Sequence, residues 1–327
     1  MDILIIGGTI FLGRALVEAA AAQGHRVTLF NRGRSDPAAF PEIETIIGDR
    51  ERDLDLLKGR RWDAVIDTCG YAPRSVELST EALKGAVEHY TFISTLSVYP
   101  LQGAAKRDEE SEVLPYDSAM PEEVNGSSYG PLKVGCEQEV QRAYPGRALI
   151  IRAGLIAGPH DPTNRFTYWV TRTAKGGDAI APPVDQPLQF VDARDIAEFT
   201  LRRTESMTDE IYNVTGPAQR LSFGEFLAGA KEALGSDVRF RHVSDAFLQE
   251  QQVGEFMELP LWVNQELAES FMTFDCTKAW RAGLRFRHLE TTVIDTYEWS
   301  KSTPEDITKP ADLAPGKEQA LLAASAG

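Results

Sequence analysis

Short apolar runs alternate with helical patterns of apolar and polar residues through the first half of the chain. Strands that are buried on both faces read as continuous apolar segments, and this alternation is typical of βαβ units. We therefore predict an α/β fold with a doubly wound parallel sheet. The predicted strands of this half are Asp2–Ile6, Arg26–Phe30, Glu44–Ile47, Ala64–Asp67, His89–Ser94 and Ala148–Arg152.

After Arg152 the pattern becomes less regular, which predicts a smaller C-terminal lobe that binds the substrate. The predicted elements are a helix at Phe166–Lys175, a strand at Leu188–Val191, a helix from Asp192, a strand at Glu210–Val214 and a final helix at Glu290–Trp299. We expect residues 1–155 and about 186–215 to form the nucleotide-binding domain, and about 156–185 and 216–300 to form the lobe. Residues 304–327 have no sustained apolar face, so we expect a disordered tail.

The first predicted strand runs directly into glycines, in the sequence Ile-Gly-Gly-Thr-Ile-Phe-Leu-Gly of residues 6–13. A strand, a tight turn and the start of a helix together present backbone N–H groups and the helix dipole to a pyrophosphate. Gly7 and Gly13 fit the three-glycine spacing, and Gly8 keeps the turn tight although Ile10 stands at the middle position. We predict a Rossmann-type dinucleotide site whose loop is Gly7, Gly8, Thr9, Ile10, Phe11, Leu12 and Gly13.

The second predicted strand ends in Asn31-Arg32-Gly33-Arg34, where the adenosine ribose of such a site should lie. An acidic residue there would bind the ribose 2′-hydroxyl, whereas Arg32 and Arg34 favour a 2′-phosphate. We therefore predict NADP in preference to NAD, with Asn31 and Thr68 also in the cofactor site. The alternative is that both arginines are solvated loop charges.

Asp49 follows the third predicted strand. Its carboxylate is placed to accept a hydrogen bond from the adenine amino group. An equally good interpretation is that Asp49 is the N-cap of the helix that follows it.

Tyr129 and Lys133 are four residues apart in a predicted helix, so their side chains share one face. An ammonium near a phenol lowers the pKa of the phenol, which would make Tyr129 a general acid or base for interconverting a hydroxyl and a carbonyl. Thr95 lies at the carboxyl end of the fifth predicted strand, where side chains face the ligand crevice of a parallel sheet. We predict that Thr95 holds the substrate oxygen while Tyr129 exchanges its proton.

These motifs resemble the extended short-chain dehydrogenase/reductases, the NAD-dependent epimerase/dehydratase family, in a less typical branch that includes chloroplast stem-loop RNA-binding proteins. The residues that carry the resemblance are Gly7–Gly13, Asp49, Ser94–Tyr99, Tyr129–Lys133, Arg152, Gly158-Pro159 and Asp195–Ala197. The resemblance implies that Thr95 polarises the substrate oxygen, that Tyr129 is the acid/base and that Lys133 binds the nicotinamide ribose. It also implies a homodimer paired through the helix of Tyr129.

Three departures from the family pattern bear on the reaction, the substrate class and the proton relay. Leu96 and Ser97 replace the Asp-Glu pair of sugar dehydratases, which disfavours elimination of water. Leu155 and Leu188 stand where nucleotide-sugar epimerases carry an asparagine and an arginine, and leucine cannot bind a diphosphate. The family asparagine of a proton relay is also absent from residues 78–81.

Composition limits the class of partner. The net charge of −15 and pI near 4.9 disfavour nucleic acid and anionic membranes. The three cysteines are far apart, and the histidines show no metal-ligand spacing, so we expect a reducing cytoplasm and no metal. No apolar run is long enough to span a membrane.

The predicted activity is therefore hydride transfer between a nicotinamide and a secondary alcohol or ketone of a small polar, sugar-like substrate. Two alternatives are an epimerase that retains NAD and a non-catalytic nucleotide-sensing or RNA-binding protein. The candidate substrate contacts are His160, Asn164, Arg165, Tyr168, Gln189 and Trp262. A tryptophan such as Trp262 is more often a core residue, and a histidine in a proline-flanked loop, such as His160, is more often structural.

Overall fold

The computed structural model describes residues 1–101, 103, 106–302 and 310–325. The strands are β1 Asp2–Ile6, β2 Arg26–Asn31, β3 Glu44–Ile47, β4 Trp62–Asp67, β5 Val87–Thr95, β6 Ala148–Ala153, β7 Ile156–Ala157, β8 Asp178–Ala181, β9 Pro187–Leu188, β10 Val191–Asp192, β11 Glu210–Val214, β12 Leu221–Ser222, β13 Arg239–His242, β14 Glu255–Phe256 and β15 Leu259–Pro260. The helices are α1 Phe11–Ala22, α2 Pro73–Leu83, α3 Tyr129–Ala143, α4 Arg165–Lys175, α5 Ala193–Glu205, α6 Phe223–Leu234, α7 Asp245–Glu250, α8 Gln265–Phe271, α9 Thr277–Arg281, α10 Leu289–Ser300 and α11 Pro315–Ala324. Short 3₁₀ turns lie at Leu54–Leu57 and Leu96–Val98.

Seven parallel strands form the central sheet in the order β11-β6-β5-β4-β1-β2-β3. Helices cover both faces: α1 and α5 pack together against one, and α2 and α3 against the other. Apolar side chains fill both interfaces, which is why inner strands such as β1 and β6 are mostly apolar along their length. The predicted fold class, a doubly wound parallel Rossmann sheet, is confirmed.

The predicted strand Leu188–Val191 is wrong as a single element. The chain instead forms the two-residue strands β9 and β10, which pair with different partners, β12 and β7. Between them, the side chain of Gln189 forms hydrogen bonds with the backbone of Phe274. A four-residue segment with apolar residues at three positions could not reveal that the chain changes partners in its middle.

A second apolar core lies in what we call the C-terminal lobe, built around α4, α6 and α10 with the strands β8 and β13. Its largest buried side chains include Trp169, Trp262, Phe223 and Phe226, with Trp169 packed edge-on against Phe223. Trp262 is fully buried, and its indole N–H donates to Asp245. Trp262 is therefore a core residue.

The prediction of a disordered tail is wrong for residues 310–325. α11 packs against β8, and Leu313 and Leu321 enter the core of the C-terminal lobe. The carboxylate of Glu318 accepts hydrogen bonds from Arg172 at 2.9 Å, and both side chains are about nine-tenths buried. The apolar residues of this segment are mostly alanines and gave little periodic signal, and its order comes from these long-range contacts.

We expect Glu318→Ala to lower the free energy of unfolding by about 3 kcal/mol, because Arg172 would keep its charge in a buried position without its partner. Chemical denaturation measures this loss. Glu298→Ala, which removes an exposed ion pair with Lys301, is the matched control and should change stability by less than about 1 kcal/mol. Equal effects of the two substitutions would contradict the assignment of α11 to the lobe core.

No helix in the described parts of the chain is long and apolar enough to cross a bilayer.

Candidate active site

A cleft of about 960 Å³ lies at the carboxyl ends of the sheet strands, beside the C-terminal lobe. This is the edge at which ligands bind in doubly wound sheets. The cleft brings together predicted residues that are far apart in the sequence: Gly7–Gly13, Asn31, Arg32, Arg34, Asp49, Thr68, Thr95, Tyr129, Lys133, Arg165 and Gln189.

The glycine turn between β1 and α1 depends on glycine at three positions. Gly7 and Gly8 have φ values of +102° and +97°, a region that other residues rarely adopt. A Cβ on Gly7 would lie 2.4 Å from the hydroxyl of Thr68, which donates to the carbonyl of Ile6. A Cβ on Gly13 would lie 3.0 Å from the backbone of Gly8, so α1 can approach the turn only because Gly13 has no side chain.

The end of β2 supports this turn. The side-chain amide of Asn31 donates to the carbonyl of Gly7 at 3.1 Å, and its oxygen accepts from the N–H of Gly33 at 2.8 Å. Asn31 therefore links the glycine turn to the loop of Arg32 and Arg34. Both arginines are exposed, line the cleft and make no ion pair with the described residues.

Asp49 lies at the same end of the cleft, after β3. Its carboxylate accepts from the N–H of Glu51 at 3.0 Å, and its own N–H donates to Asp53. Asp49 therefore closes a local turn. The predicted role as a helix N-cap is wrong, because the next helical element is the 3₁₀ turn Leu54–Leu57, whose N-cap is Asp53. The adenine contact remains a prediction, because a carboxylate oxygen can accept further hydrogen bonds.

A buried ion pair beneath the cleft was not predicted. Arg50 donates to both carboxylate oxygens of Asp67, at 2.9 and 2.7 Å, and to the hydroxyl of Ser79 at 2.8 Å. Asp67 is fully buried at the end of β4 and also accepts from Tyr90, and the neighbouring Arg50 holds the pKa of its carboxyl below the usual value against the effect of burial. The only sequence signal was an aspartate that ends an apolar strand.

Thr95 and Tyr129 both line the cleft. α3 begins at Tyr129, and Gly130 lets its first turn approach the end of β5, since a Cβ there would lie 2.3 Å from the carbonyl oxygen of Ser97. Thr95 ends β5 and caps the following turn by accepting from the N–H of Ser97. The hydroxyl of Thr95 interacts with the phenol of Tyr129.

The predicted lowering of the Tyr129 pKa is wrong for the protein without ligand. Burial of the phenol raises its pKa, while Thr95 and the positive charge of Arg165 act in the opposite direction with smaller effect. Tyr129 is therefore protonated at neutral pH. The four-residue spacing placed Lys133 on the same face of α3, but it could not show where the ammonium group would go.

Lys133 is buried, and its ammonium donates to the carbonyls of Gly70 and Ile93, at 2.8 and 2.7 Å. It also lies 4.0 Å from the centre of the Phe92 ring. Burial lowers the pKa of Lys133. These contacts hold the ammonium between β5 and the loop after β4, where it lines the cleft.

The candidate substrate residues divide into two groups. Arg165 and Gln189 line the cleft, whereas His160, Asn164 and Tyr168 do not. Asn164 is buried and donates to the carbonyl of Ala311, and Tyr168 packs against Trp169 in the lobe core. The ring of His160 lies beside Trp299, 5.4 Å away. Loop position in the sequence did not distinguish residues facing the cleft from residues facing the lobe.

Three phenylalanines of the lobe form a wall that the sequence did not reveal. Phe256, Phe271 and Phe274 line the cleft, and the rings of Phe256 and Phe271 pack edge-on with centres 5.8 Å apart. The guanidinium of Arg165 lies 4.7 Å from the centre of the Phe256 ring. We call these three residues the aromatic wall.

A family model agrees with this architecture. The model of the NAD dependent epimerase/dehydratase family matches residues 3–215, which include the glycine turn, Thr95, Tyr129 and Lys133.

Two curated proteins are similar in sequence. The chloroplast stem-loop binding protein of 41 kDa b from Arabidopsis thaliana is 28% identical over 235 residues, or 65% of this chain and 58% of that protein. The chain thus spans less than two thirds of that relative. The isoflavone reductase homolog IRL from Zea mays is 24% identical over 295 residues, 83% of this chain and 85% of that protein.

Solved structures share the fold. The UDP-Glc/GlcNAc 4-epimerase of Campylobacter jejuni superposes with a TM-score of 0.69 at 15% identity, over 92% of this chain and 99% of that one. The UDP-glucuronic acid 4-epimerase of Bacillus cereus, in complex with NAD, gives a TM-score of 0.67 at 17% identity with the same coverage.

Proposed function

The chain belongs to the NAD-dependent epimerase/dehydratase family, and on this basis we propose that it is an oxidoreductase that transfers hydride between NADP and a secondary alcohol or ketone. In this proposal Tyr129 is the acid/base, Thr95 binds the substrate oxygen and Lys133 contacts the nicotinamide ribose. The observation that carries the proposal is that one cleft contains both the glycine turn and the Thr95–Tyr129 pair.

The residues of the cleft fit a dinucleotide. The glycine turn has no side chains at Gly7 and Gly8, so a pyrophosphate can approach the backbone at the start of α1. Arg32 and Arg34 are available at the end of β2 for a 2′-phosphate. When bound, the nicotinamide would supply or accept the hydride.

Residues of the protein would then carry out the proton transfer. Tyr129 is protonated at neutral pH, so it can donate its proton to a substrate carbonyl oxygen during reduction. Thr95 can hold that oxygen by a hydrogen bond from its hydroxyl. In the direction of oxidation Tyr129 must first lose its proton, and the nearby charge of Arg165 favours that loss.

The direct test is calorimetric comparison of NADPH and NADH binding, followed by a panel of ketones monitored at the absorbance of reduced nicotinamide. We expect NADPH to bind more tightly and at least one ketone to be reduced. Failure of the protein to bind either nucleotide would contradict the proposal.

Cofactor preference should depend on Arg32 and Arg34. We expect replacement of both by alanine to weaken NADPH binding by roughly tenfold or more and to leave NADH binding nearly unchanged, because only NADPH carries the 2′-phosphate. Calorimetry measures both affinities. Arg52→Ala, an arginine outside the lining of the cleft, is the control. Equal losses for the two nucleotides would contradict the predicted preference for NADP.

A second candidate is an epimerase that retains NAD, favoured by the likeness to UDP-sugar epimerases. Such an enzyme returns the hydride to the opposite face of the same substrate and has no need to exchange its cofactor. The purified protein would then release nicotinamide nucleotide on denaturation, whereas a reductase would be purified largely free of it. Absorbance of the denatured supernatant separates the two.

A third candidate, RNA binding without catalysis, is favoured by the name of the Arabidopsis relative. The net charge of −15 opposes it, since a phosphate backbone would be repelled at long range. Salt-sensitive RNA binding at physiological ionic strength, together with no ketone reduction, would favour this candidate over the first.

A further inference from the structure

Arg165 is the first residue of α4, and it projects from the C-terminal lobe into the cleft. Its Nε donates to the hydroxyl of Thr163 at 3.1 Å. Among the described residues, its guanidinium forms no ion pair. The two terminal nitrogens therefore keep their donors available to a molecule in the cleft.

The other cationic side chains that line the cleft either have hydrogen-bond partners already or lie far from Tyr129. Arg50 is paired with Asp67, and Lys133 donates to two backbone carbonyls. Arg32 and Arg34 lie at the end of β2, at the adenosine side of the proposed cofactor site. Arg165 is thus the described cation that remains available near Tyr129.

No acidic group of the described residues forms an ion pair with Arg165, although the charge of Asp161 acts on it and opposes the lowering of its pKa by burial. Asp161 is the nearest acid and is buried, and its carboxylate accepts from the backbone and hydroxyl of Thr163 instead of pairing with the guanidinium. Glu122 also lines the cleft, but it accepts from the backbone of Arg74. A partly buried guanidinium that makes no direct ion pair favours binding of an anion.

The aromatic wall provides an apolar surface beside this cation. Phe256 lies under the guanidinium, Phe271 packs on Phe256, and Phe274 continues the lining towards the end of β5. Such a surface binds a flat apolar body by excluding water. One cation beside an apolar wall suits a single negative charge on an apolar molecule better than a diphosphate, which usually takes several donors.

We infer that the substrate of this cleft is a small organic carboxylate whose apolar or aromatic body lies on the aromatic wall while Arg165 binds its carboxylate. This inference rests on the proposed function, because it takes the reacting carbonyl to lie at Thr95 and Tyr129. Arg165 is in this inference a specificity-determining residue. It distinguishes acids from their neutral analogues.

The test measures binding and not turnover, because removal of Arg165 would also change the electrostatic environment of Tyr129. The protein is loaded with NADP⁺, which cannot reduce a ketone, and is titrated by calorimetry with benzoylformate, phenylpyruvate and the methyl ester of each. We expect each acid to bind at least roughly tenfold more tightly than its ester. Arg165→Met should abolish this preference, and Arg165→Lys should retain part of it.

Arg239→Met is the matched control, since Arg239 is exposed on β13 and does not line the cleft. It should leave the preference for acids unchanged, and thermal melting should confirm that all variants are folded. Equal affinity of acid and ester, absence of binding by either acid, or a preference that survives Arg165→Met would each overturn the inference.

Two further titrations identify the cause of a failure. UDP-glucose binding that is tighter than that of the acids and depends on Arg165 would overturn the carboxylate assignment in favour of a diphosphate. Binding of the acids without NADP⁺, in a protein that fails to bind any nicotinamide nucleotide, would support the anion site and contradict the proposed function. The two proposals can therefore fail separately.

Discussion

Replacement of Tyr129 by phenylalanine is expected to reduce turnover of a ketone by about a hundred- to ten-thousandfold, the range found when a general acid is removed. The substitution deletes one oxygen at the centre of the cleft and leaves the apolar ring in place. The glycine turn, Arg32 and Arg34 do not depend on this hydroxyl, so NADPH affinity should change by less than about twofold. Steady-state kinetics and calorimetry provide the two measurements.

Tyr116→Phe is the matched control for this prediction. Tyr116 packs against Gly135 of the same helix α3 but does not line the cleft, so loss of its hydroxyl should leave turnover unchanged. An undiminished rate in the Tyr129→Phe variant would eliminate Tyr129 as the acid/base. A parallel loss of NADPH affinity would instead indicate a structural role.

Asp67→Ala is expected to lower the free energy of unfolding by about 3–5 kcal/mol, because it leaves the buried charge of Arg50 without its partner. The substitution also removes the acceptor for the hydroxyl of Tyr90 at 2.9 Å. Urea denaturation measures the loss. Since Arg50 lines the cleft beside Cys69, nucleotide affinity should fall as well.

Asp55→Ala is the control, since it removes an exposed ion pair with Lys58 and should change stability by less than about 1 kcal/mol. The double replacement Arg50→Met with Asp67→Leu should recover part of the stability lost in Asp67→Ala, because neither charge is then left buried. A single Asp67→Ala variant as stable as Asp55→Ala would contradict this account of the pair.

Most strands of the central sheet could be predicted because they contain apolar runs buried on both faces, although the edge strand β3 is largely exposed. β1 and β3 begin and end where predicted, while β5 begins two residues earlier, at Val87. The glycine turn was equally accessible, since its glycines are required by local backbone conformation at Gly7 and Gly8. Such features depend on neighbours in the sequence, and a sequence displays them directly.

Features that depend on distant neighbours were missed. Arg50 and Asp67 pair across two strands, and the aromatic wall assembles from residues around Phe256 and Phe274 that carry no shared motif. α11 is ordered by the pairing of Glu318 with Arg172 and by Leu321, which enters the lobe core. In each case the partner is far away in the chain.

The electrostatics of the site illustrate the same limit. Spacing placed Tyr129 and Lys133 on one face of α3, yet the Lys133 ammonium is held by backbone carbonyls. The cation whose charge opposes the rise of the Tyr129 pKa caused by burial is Arg165. Arg165 lies on a different element, 36 positions further along the chain. Only the packing of the C-terminal lobe against the sheet brings it to the phenol.

The hydrogen bonds of Gln189 determine which part of the cleft can open. Its side chain both donates to and accepts from the backbone of Phe274, at 3.0 and 2.8 Å, which fastens that ring to the segment between β9 and β10. Phe256 has no such tie to this segment among the described contacts. We therefore expect substrate entry to widen the gap between the two rings by movement of Phe256, while Phe274 stays in place.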